Sequence, residues 1–195
     1  MRLVVGLGNP GRRYAGTRHN VAWEVLDELA DRWHAGPGEG TPVFTTRRAA
    51  VGAETVELMQ PLTFMNLAGE ALGAWREVTP VGDDALLVVS DEVYLPVGTL
   101  RLRSGGSSGG HRGLESIEQA LGHQRFARLR LGVGAAESGT GLKEHVLDRF
   151  ASEERTRMDE AVREAADAVE CWVADGILAA MNRFNRKVGK EVQEP

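Results

Sequence analysis

Residues 3–11 read Leu3-Val4-Val5-Gly6-Leu7-Gly8-Asn9-Pro10-Gly11. The near-continuous apolar run from Leu3 to Leu7 predicts a short strand covered on both faces of a sheet. Gly6, Gly8 and Gly11 match the spacing G-x-G-x-x-G, which at a strand–helix junction binds a dinucleotide. That chemistry needs a helix to begin inside the glycine run, so that its first N–H groups face a pyrophosphate. Pro10 supplies no N–H, and Arg12-Arg13-Tyr14-Ala15-Gly16 lacks helical apolar spacing. The acids at the expected distance, Asp27, Glu28 and Asp31, fall on a helical pattern rather than at the end of a second strand. The stretch therefore reads as a strand-end loop. It either presents the Asn9 amide and the Tyr14 ring or is a tight turn that Asn9-Pro10-Gly11 suits.

Outward from this strand the pattern alternates. A helix is predicted over Val21–Trp33, with Ala22, Val25, Leu26, Leu29 and Trp33 on its inner face and Asn20 as its cap. Strands around Val43–Ala50 and Glu54–Met59 flank Gly52 as a hairpin. A helix carrying Leu67, Ala71, Leu72 and Trp75 follows. Ala85–Val89 is the clearest buried strand and ends at Ser90-Asp91-Glu92; Val97–Leu102 is another. The glycine-rich loop Ser104–Gly113 leads into a helix over Leu114–Leu121, then a strand over Arg128–Val133. Ser152, Glu153 and Glu154 open a long helix reaching Ala174. From Asn182 onward the chain reads as a polar tail. The fold class is α/β: a single domain over residues 1–187, with a mixed twisted β-sheet flanked by helices on both faces, and a C-terminal tail at 188–195.

The bulk numbers narrow the class. At 195 residues, 42% of them hydrophobic, the chain can bury a core of its own as a monomer. A formal charge of -5 argues against a broad nucleic-acid coat but leaves room for a local basic site. The lone Cys171 allows no internal disulfide, which fits a reducing compartment. No apolar run spans a bilayer and no signal segment opens the chain, so a cytoplasmic protein with no membrane partner is expected.

The histidines (His19, His34, His111, His123 and His145) show no metal-ligand spacing, so no metal is expected. Neither glycine loop continues into Lys-Ser or Lys-Thr, and no Gly-x-Ser-x-Gly elbow is present. His19 stands at a loop-to-helix junction, where a helix N-terminus favours a neutral ring able to accept a proton. Asp91 stands just past a buried strand, where α/β folds collect functional groups, and can orient such a ring. Asn9, Asn66, His111 and Arg112 are candidates for the same crevice. Arg101, Arg103, Arg128 and Arg130 alternate along two strands and suit phosphates. Plain structural roles stay open for each: a cap-associated His19, a turn Asp91, a capping Asn66, a loop-bonding His111 and a solvated arginine face.

Several separated motifs together carry a resemblance that covers Leu3 to about Asn185. They are Val5–Gly11 with Tyr14 and Thr17-Arg18-His19-Asn20; Pro61–Asn66; Asp91-Glu92 with Leu95-Pro96 and Gly98; Gly105–Leu114; Arg128–Gly134; and Val146–Phe150. The chain resembles the bacterial-type peptidyl-tRNA hydrolases. The resemblance implies a mixed-sheet α/β monomer, without cofactor, that cleaves the ester between a nascent peptide and the terminal ribose of tRNA. It implies that His19 is the general base on a water and that Asp91 orients it. Asn9 and Asn66 would hold water or substrate, Tyr14, Met65 and His111 would line the pocket, and Arg101 and Arg103 would meet tRNA phosphates. Peptidyl-tRNA is then the partner, and DNA is not.

Two positions depart from the pattern. The second glycine loop ends His111-Arg112-Gly113 where the family usually has His-Asn-Gly, and an arginine donates but cannot accept. Ala22 stands where a glycine is common. The alternative function is a non-catalytic RNA-binding relative of the same fold, against which Asn9, His19, Asn66 and Asp91 all argue.

Overall fold

The computed structural model describes residues 1–79, 81–136 and 141–185. Its strands are β1 (Arg2–Gly6), β2 (Glu39–Gly40), β3 (Phe44–Val51), β4 (Glu54–Pro61), β5 (Leu86–Glu92), β6 (Leu100–Arg103) and β7 (Ala127–Gly132). They form one sheet in the order β2-β3-β4-β1-β5-β7-β6. β4, β1, β5 and β7 run parallel, while β2, β3 and β6 join by antiparallel pairing, so the sheet is mixed. The helices are α1 (Val21–Arg32), α2 (Ala68–Val78), α3 (Arg112–Leu121), α4 (Leu142–Leu147), α5 (Ser152–Asp175) and α6 (Ile177–Phe184).

The apolar run of β1 is explained by its place. Val4 packs with Leu87 and Val89 beneath α1, α5 and α6, whereas Leu3 and Val5 pack with Leu86 and Val88 beneath α2 and α3. Both strands are covered on both faces, so neither shows the alternation of a half-exposed strand. Each fully buried leucine or valine here contributes about 1.5–3 kcal/mol. From β1 the chain passes through α1 to β4 on one side; from β5 it passes to β7 on the other. The connections diverge between β1 and β5, which opens a crevice beyond their C-terminal ends.

Three local expectations need correcting, and one holds. β5 continues through Glu92, so Asp91 lies on the strand itself, pinned in register with Leu131 of β7. β6 starts at Leu100 rather than Val97, because Gly98 takes a left-handed φ of 86° that breaks the strand. α5 opens at Ser152 with Glu153 and Glu154 in its first turn, as expected, and Glu154 accepts the N–H of the capping residue Ala151 at 2.8 Å. The stretch predicted as tail from Asn182 instead belongs to α6 up to Phe184, which is buried, and Asn185 bonds the Leu102 backbone at 2.7 and 3.0 Å. The short β2 and α4 had no expectation, and the tail at 188–195 lies outside the described residues.

Candidate active site

The opening glycines serve close packing. A Cβ on Gly6 would sit 2.8 Å from Leu26, and one on Gly8 would sit 2.7 Å from the Trp23 ring. Trp23 donates its indole N–H to the Gly6 carbonyl at 2.9 Å. Helix α1 thus lies hard against the strand end instead of starting in the glycine run, and Arg12–Tyr14 forms only a single 3-10 turn. Asn9, just past the glycines, is buried. Its Oδ1 accepts the Met65 N–H at 2.9 Å, and its amide NH₂ makes no hydrogen bond among the described residues.

Asn20 fastens the loop. It was expected to cap α1, but its side chain binds both backbone groups of Asn9, accepting the N–H and donating to the carbonyl, each at 2.9 Å. The same side-chain amide that satisfies a helix N-terminus satisfies a loop equally well. On the other side of His19, buried Arg18 donates to the Val133 carbonyl at 2.8 Å and to both Glu154 oxygens at 3.1 and 2.7 Å, and its guanidinium lies 4.8 Å from the Phe150 ring centre. The hydrogen bond from Arg18 leads the groups that hold the Glu154 carboxyl below its ordinary range, against the opposing pull of burial. His19 therefore sits on a 3-10 turn clamped from both sides. Neither clamp was read from the sequence; two polar residues flanking a predicted functional histidine were the only signal.

His19 Nδ1 lies 2.8 Å from Asp91 Oδ1, and so does His111 Nε2. Asp91 is ionised in this setting. Burial pushes its carboxyl up, but the charges and hydrogen bonds of His19 and His111 pull it well below the usual carboxylate range. Both ring nitrogens that face it must then donate. His111 is the N-cap of α3, and its Nδ1 accepts the Leu114 N–H at 3.2 Å, so both its ring nitrogens are engaged. His19 Nε2 has no partner among the described residues and remains a lone-pair site on a partly exposed ring. The two rings are 5.3 Å apart, tilted by 55°.

These three side chains are also near enough to be tested as metal ligands. A metal on His111 Nε2 would force the ring proton onto Nδ1, against the Leu114 N–H, and uncap α3. The set does not fit a metal ion.

Met65 is buried beside Gly113, where a Cβ would come 2.5 Å from its sulfur and 2.9 Å from Leu7. The glycine lets α3 begin directly over the Asn9 loop. Asn66 is exposed in the same 3-10 turn as Met65. Tyr14 stands edge-on to exposed Phe64, with ring centres 6.4 Å apart. Arg112, the first residue of α3, is exposed and unpaired among the described residues.

The four arginines divide. All lie on one sheet face, with Arg101 opposite Arg130 and Arg103 opposite Arg128. Arg128 is 0% exposed, a correction to its expected place on a phosphate-binding surface. Helix α3 covers it: the guanidinium binds Glu118 at 2.9 Å and the Ser107 and Gln124 carbonyls at 3.0 and 3.2 Å, over the Phe126 ring. Arg130 is bound to Glu92 at 2.6 Å and to the Ser107 carbonyl at 2.7 Å. Both tie the glycine loop to β7. Arg101 and Arg103, on edge strand β6, keep unpaired guanidinium groups among the described residues.

A carboxylate-backed imidazole with one open nitrogen, beside an open carboxamide, defines a general-base hydrolase site. The family model for peptidyl-tRNA hydrolase matches residues 3–193. The peptidyl-tRNA hydrolase of Geobacillus kaustophilus is 43% identical over 187 residues, 95% of this chain and all of that one. That of Desulforamulus reducens is 42% identical over 190 residues, 96% of this chain and 90% of that one. The crystal structure of the Acinetobacter baumannii peptidyl-tRNA hydrolase superposes with a TM-score of 0.88 at 34% identity, covering 95% and 94% of the two chains. The chain belongs to the peptidyl-tRNA hydrolase family.

Proposed function

We propose that this chain hydrolyses peptidyl-tRNA by direct attack of a water activated at His19 Nε2. The carrying observation is the 2.8 Å contact of His19 Nδ1 with buried Asp91, which leaves Nε2 as the free base. In this reading the water gives its proton to Nε2, and Asp91 stabilises the imidazolium that forms. The hydroxide adds to the ester carbonyl carbon. The bond to the ribose oxygen then breaks, and that oxygen takes the proton back from Nε2. The Asn9 NH₂ and Asn66 hold the water or the developing oxyanion, which an activated ester needs more than it needs a covalent intermediate.

Tyr14, Met65 and His111 shape the pocket, and His111 does so by its ring faces because both its nitrogens are occupied. Exposed Arg112 offers a fixed positive charge to a phosphate or a peptide carbonyl. Arg101 and Arg103 bind tRNA phosphates, while Arg128 and Arg130 act indirectly by holding the glycine loop. The chain works as a monomer. A cytoplasmic location accompanies the reading, since Cys171 is free and the substrate arises where peptides are made. No helix among the described residues is long and apolar enough to cross a membrane. Turnover of peptidyl-tRNA by His19→Ala tests the proposal. The expected loss is about 10²- to 10⁴-fold with an unchanged circular-dichroism spectrum; near-normal turnover overturns the role of His19.

A further inference from the structure

The Asp91–His111 contact repeats the Asp91–His19 contact on the same oxygen, at the same 2.8 Å. Two imidazoles sharing one carboxylate oxygen divide its hydrogen-bonding capacity between them. The second imidazole is not free to move away. Its Nδ1 is held by the first turn of α3, and a Cβ on Gly113 would sit 2.5 Å from Met65, 2.9 Å from Leu7 and 3.1 Å from His111, so any side chain there would intrude. The proton positions are fixed on both sides, with Nε2 donating to Asp91 and Nδ1 receiving Leu114 N–H.

We propose that His111 is a positioning residue that sets the strength of His19 as a base through the Asp91 oxygen they share. The proposal rests on the reading of His19 as the base. With both donors in place, Asp91 commits only part of its charge to His19. Without His111, Oδ1 serves His19 alone; that hydrogen bond tightens and the protonated His19 ring is held more firmly. The base then releases its proton only at higher pH.

Other charged groups around the cluster, Arg112 apart, have their own partners. On β5, Glu92 is bound by Arg130. Next to His19, Arg18 is bound by Glu154 at the start of α5. From α4, His145 bonds the Gly134 carbonyl at 2.8 Å. Arg112, beside His111 on α3, is exposed to solvent. The two imidazoles are accordingly the groups that act directly on Asp91.

The variant that isolates this role is His111→Asn. Asparagine is a good N-cap, so its oxygen can take over the Leu114 N–H, but it is too short to donate to Asp91. His111→Gln is the rescue variant, since its longer amide can reach Asp91. Two measurements are made on each: the imidazole NMR titration of His19, and the pH dependence of kcat/KM for peptidyl-tRNA. In His111→Asn the His19 titration midpoint rises by about half to one pH unit, and the Nδ1 proton resonance moves downfield. In His111→Gln both return toward the parent values. The acid limb of kcat/KM moves with the NMR midpoint. An unmoved His19 titration in a folded His111→Asn overturns the proposal. A moved titration with an unmoved acid limb supports it and instead overturns the reading of His19 as the base. Should His111→Asn fail to fold, His111→Ser, another N-cap residue too short to reach Asp91, takes its place with the same two outcomes.

Discussion

Strand β5 carries a histidine–aspartate contact near each end, and the two do different work. Beyond its N-terminal end, Asp83 binds His123 Nε2 at 2.7 Å; on its C-terminal end, Asp91 binds His19 Nδ1 at 2.8 Å. The distances are nearly equal, so distance cannot distinguish a clip from a base. The difference lies in what the remaining atoms do. His123 Nδ1 accepts the Arg125 N–H at 3.1 Å, and Asp83 also takes Arg76 at 2.5 Å, so neither nitrogen of that ring is spare. His19 Nε2 is spare. The carboxylates differ as well, with the Asp83 side chain 34% exposed and that of Asp91 1% exposed. A charge is worth far more to a ring when water cannot screen it. The first pair ties the loop after α3 to the turn before β5; the second arms a crevice.

Exchanging the carboxylates for amides breaks this comparison most sharply. Asp91→Asn keeps the shape and can still accept one hydrogen bond, but it removes the charge that supports protonated His19. Peptidyl-tRNA turnover is expected to fall about 10²- to 10⁴-fold. Asp83→Asn removes the same charge 2.7 Å from a histidine and leaves turnover unchanged. Equal losses in the two variants, measured on the same substrate preparation, would defeat the distinction between the ends.

A smaller effect is expected at the clamp beside His19. Arg18→Met removes hydrogen bonds to Val133 and Glu154 while filling much of the same volume. Glu154 is partly exposed and can recover water, so the stability cost should be about 1–3 kcal/mol. The turn that carries His19 loosens, and kcat falls roughly ten-fold with KM little changed. Urea unfolding gives the first quantity and steady-state kinetics the second. A loss of stability with kcat intact would make Arg18 a structural residue only.

Much of this was legible before any coordinates. The apolar runs of β1 and β5 and the periodicity of α1 located two strands and the main helix, and Pro10 excluded a helix starting in the glycine run. Those positions made Asn9, His19 and Asp91 candidates, and the family resemblance supplied their expected roles. What stayed hidden were effects of long-range packing. Arg128 and Arg103 face each other on paired strands of one sheet face, and only the placement of α3 over that face buries one and leaves the other exposed. Asn20 precedes a helix, as a cap does, yet its partner is a loop eleven residues earlier in the chain. Arg18 meets Glu154 across 136 positions, a pairing that no local pattern marks. The short helices α4 and α6 match no element expected from the sequence.

The least effect, and the finest test of the two ends, comes from acid. Burial pushes the Asp83 carboxyl up, but the Arg76 and His123 hydrogen bonds prevail and hold it below its ordinary range. A carboxyl lowered in the fold adds stability above its unfolded value, about 3.9, and loses that contribution as pH falls through the folded value. Asp83→Asn should therefore be less stable than the parent at neutral pH, by up to about 1 kcal/mol because the pair is partly screened. The gap should narrow below about pH 4. Asp91 is lowered by the same sign rule but at a buried site, so its contribution persists to lower pH. Urea midpoints of the parent and both Asn variants, read from pH 7 to pH 3, separate the two ends. The Asp83 gap should close first as pH falls. Were the Asp91 gap to close first instead, the charge at the crevice would be no better shielded than the charge at the clip.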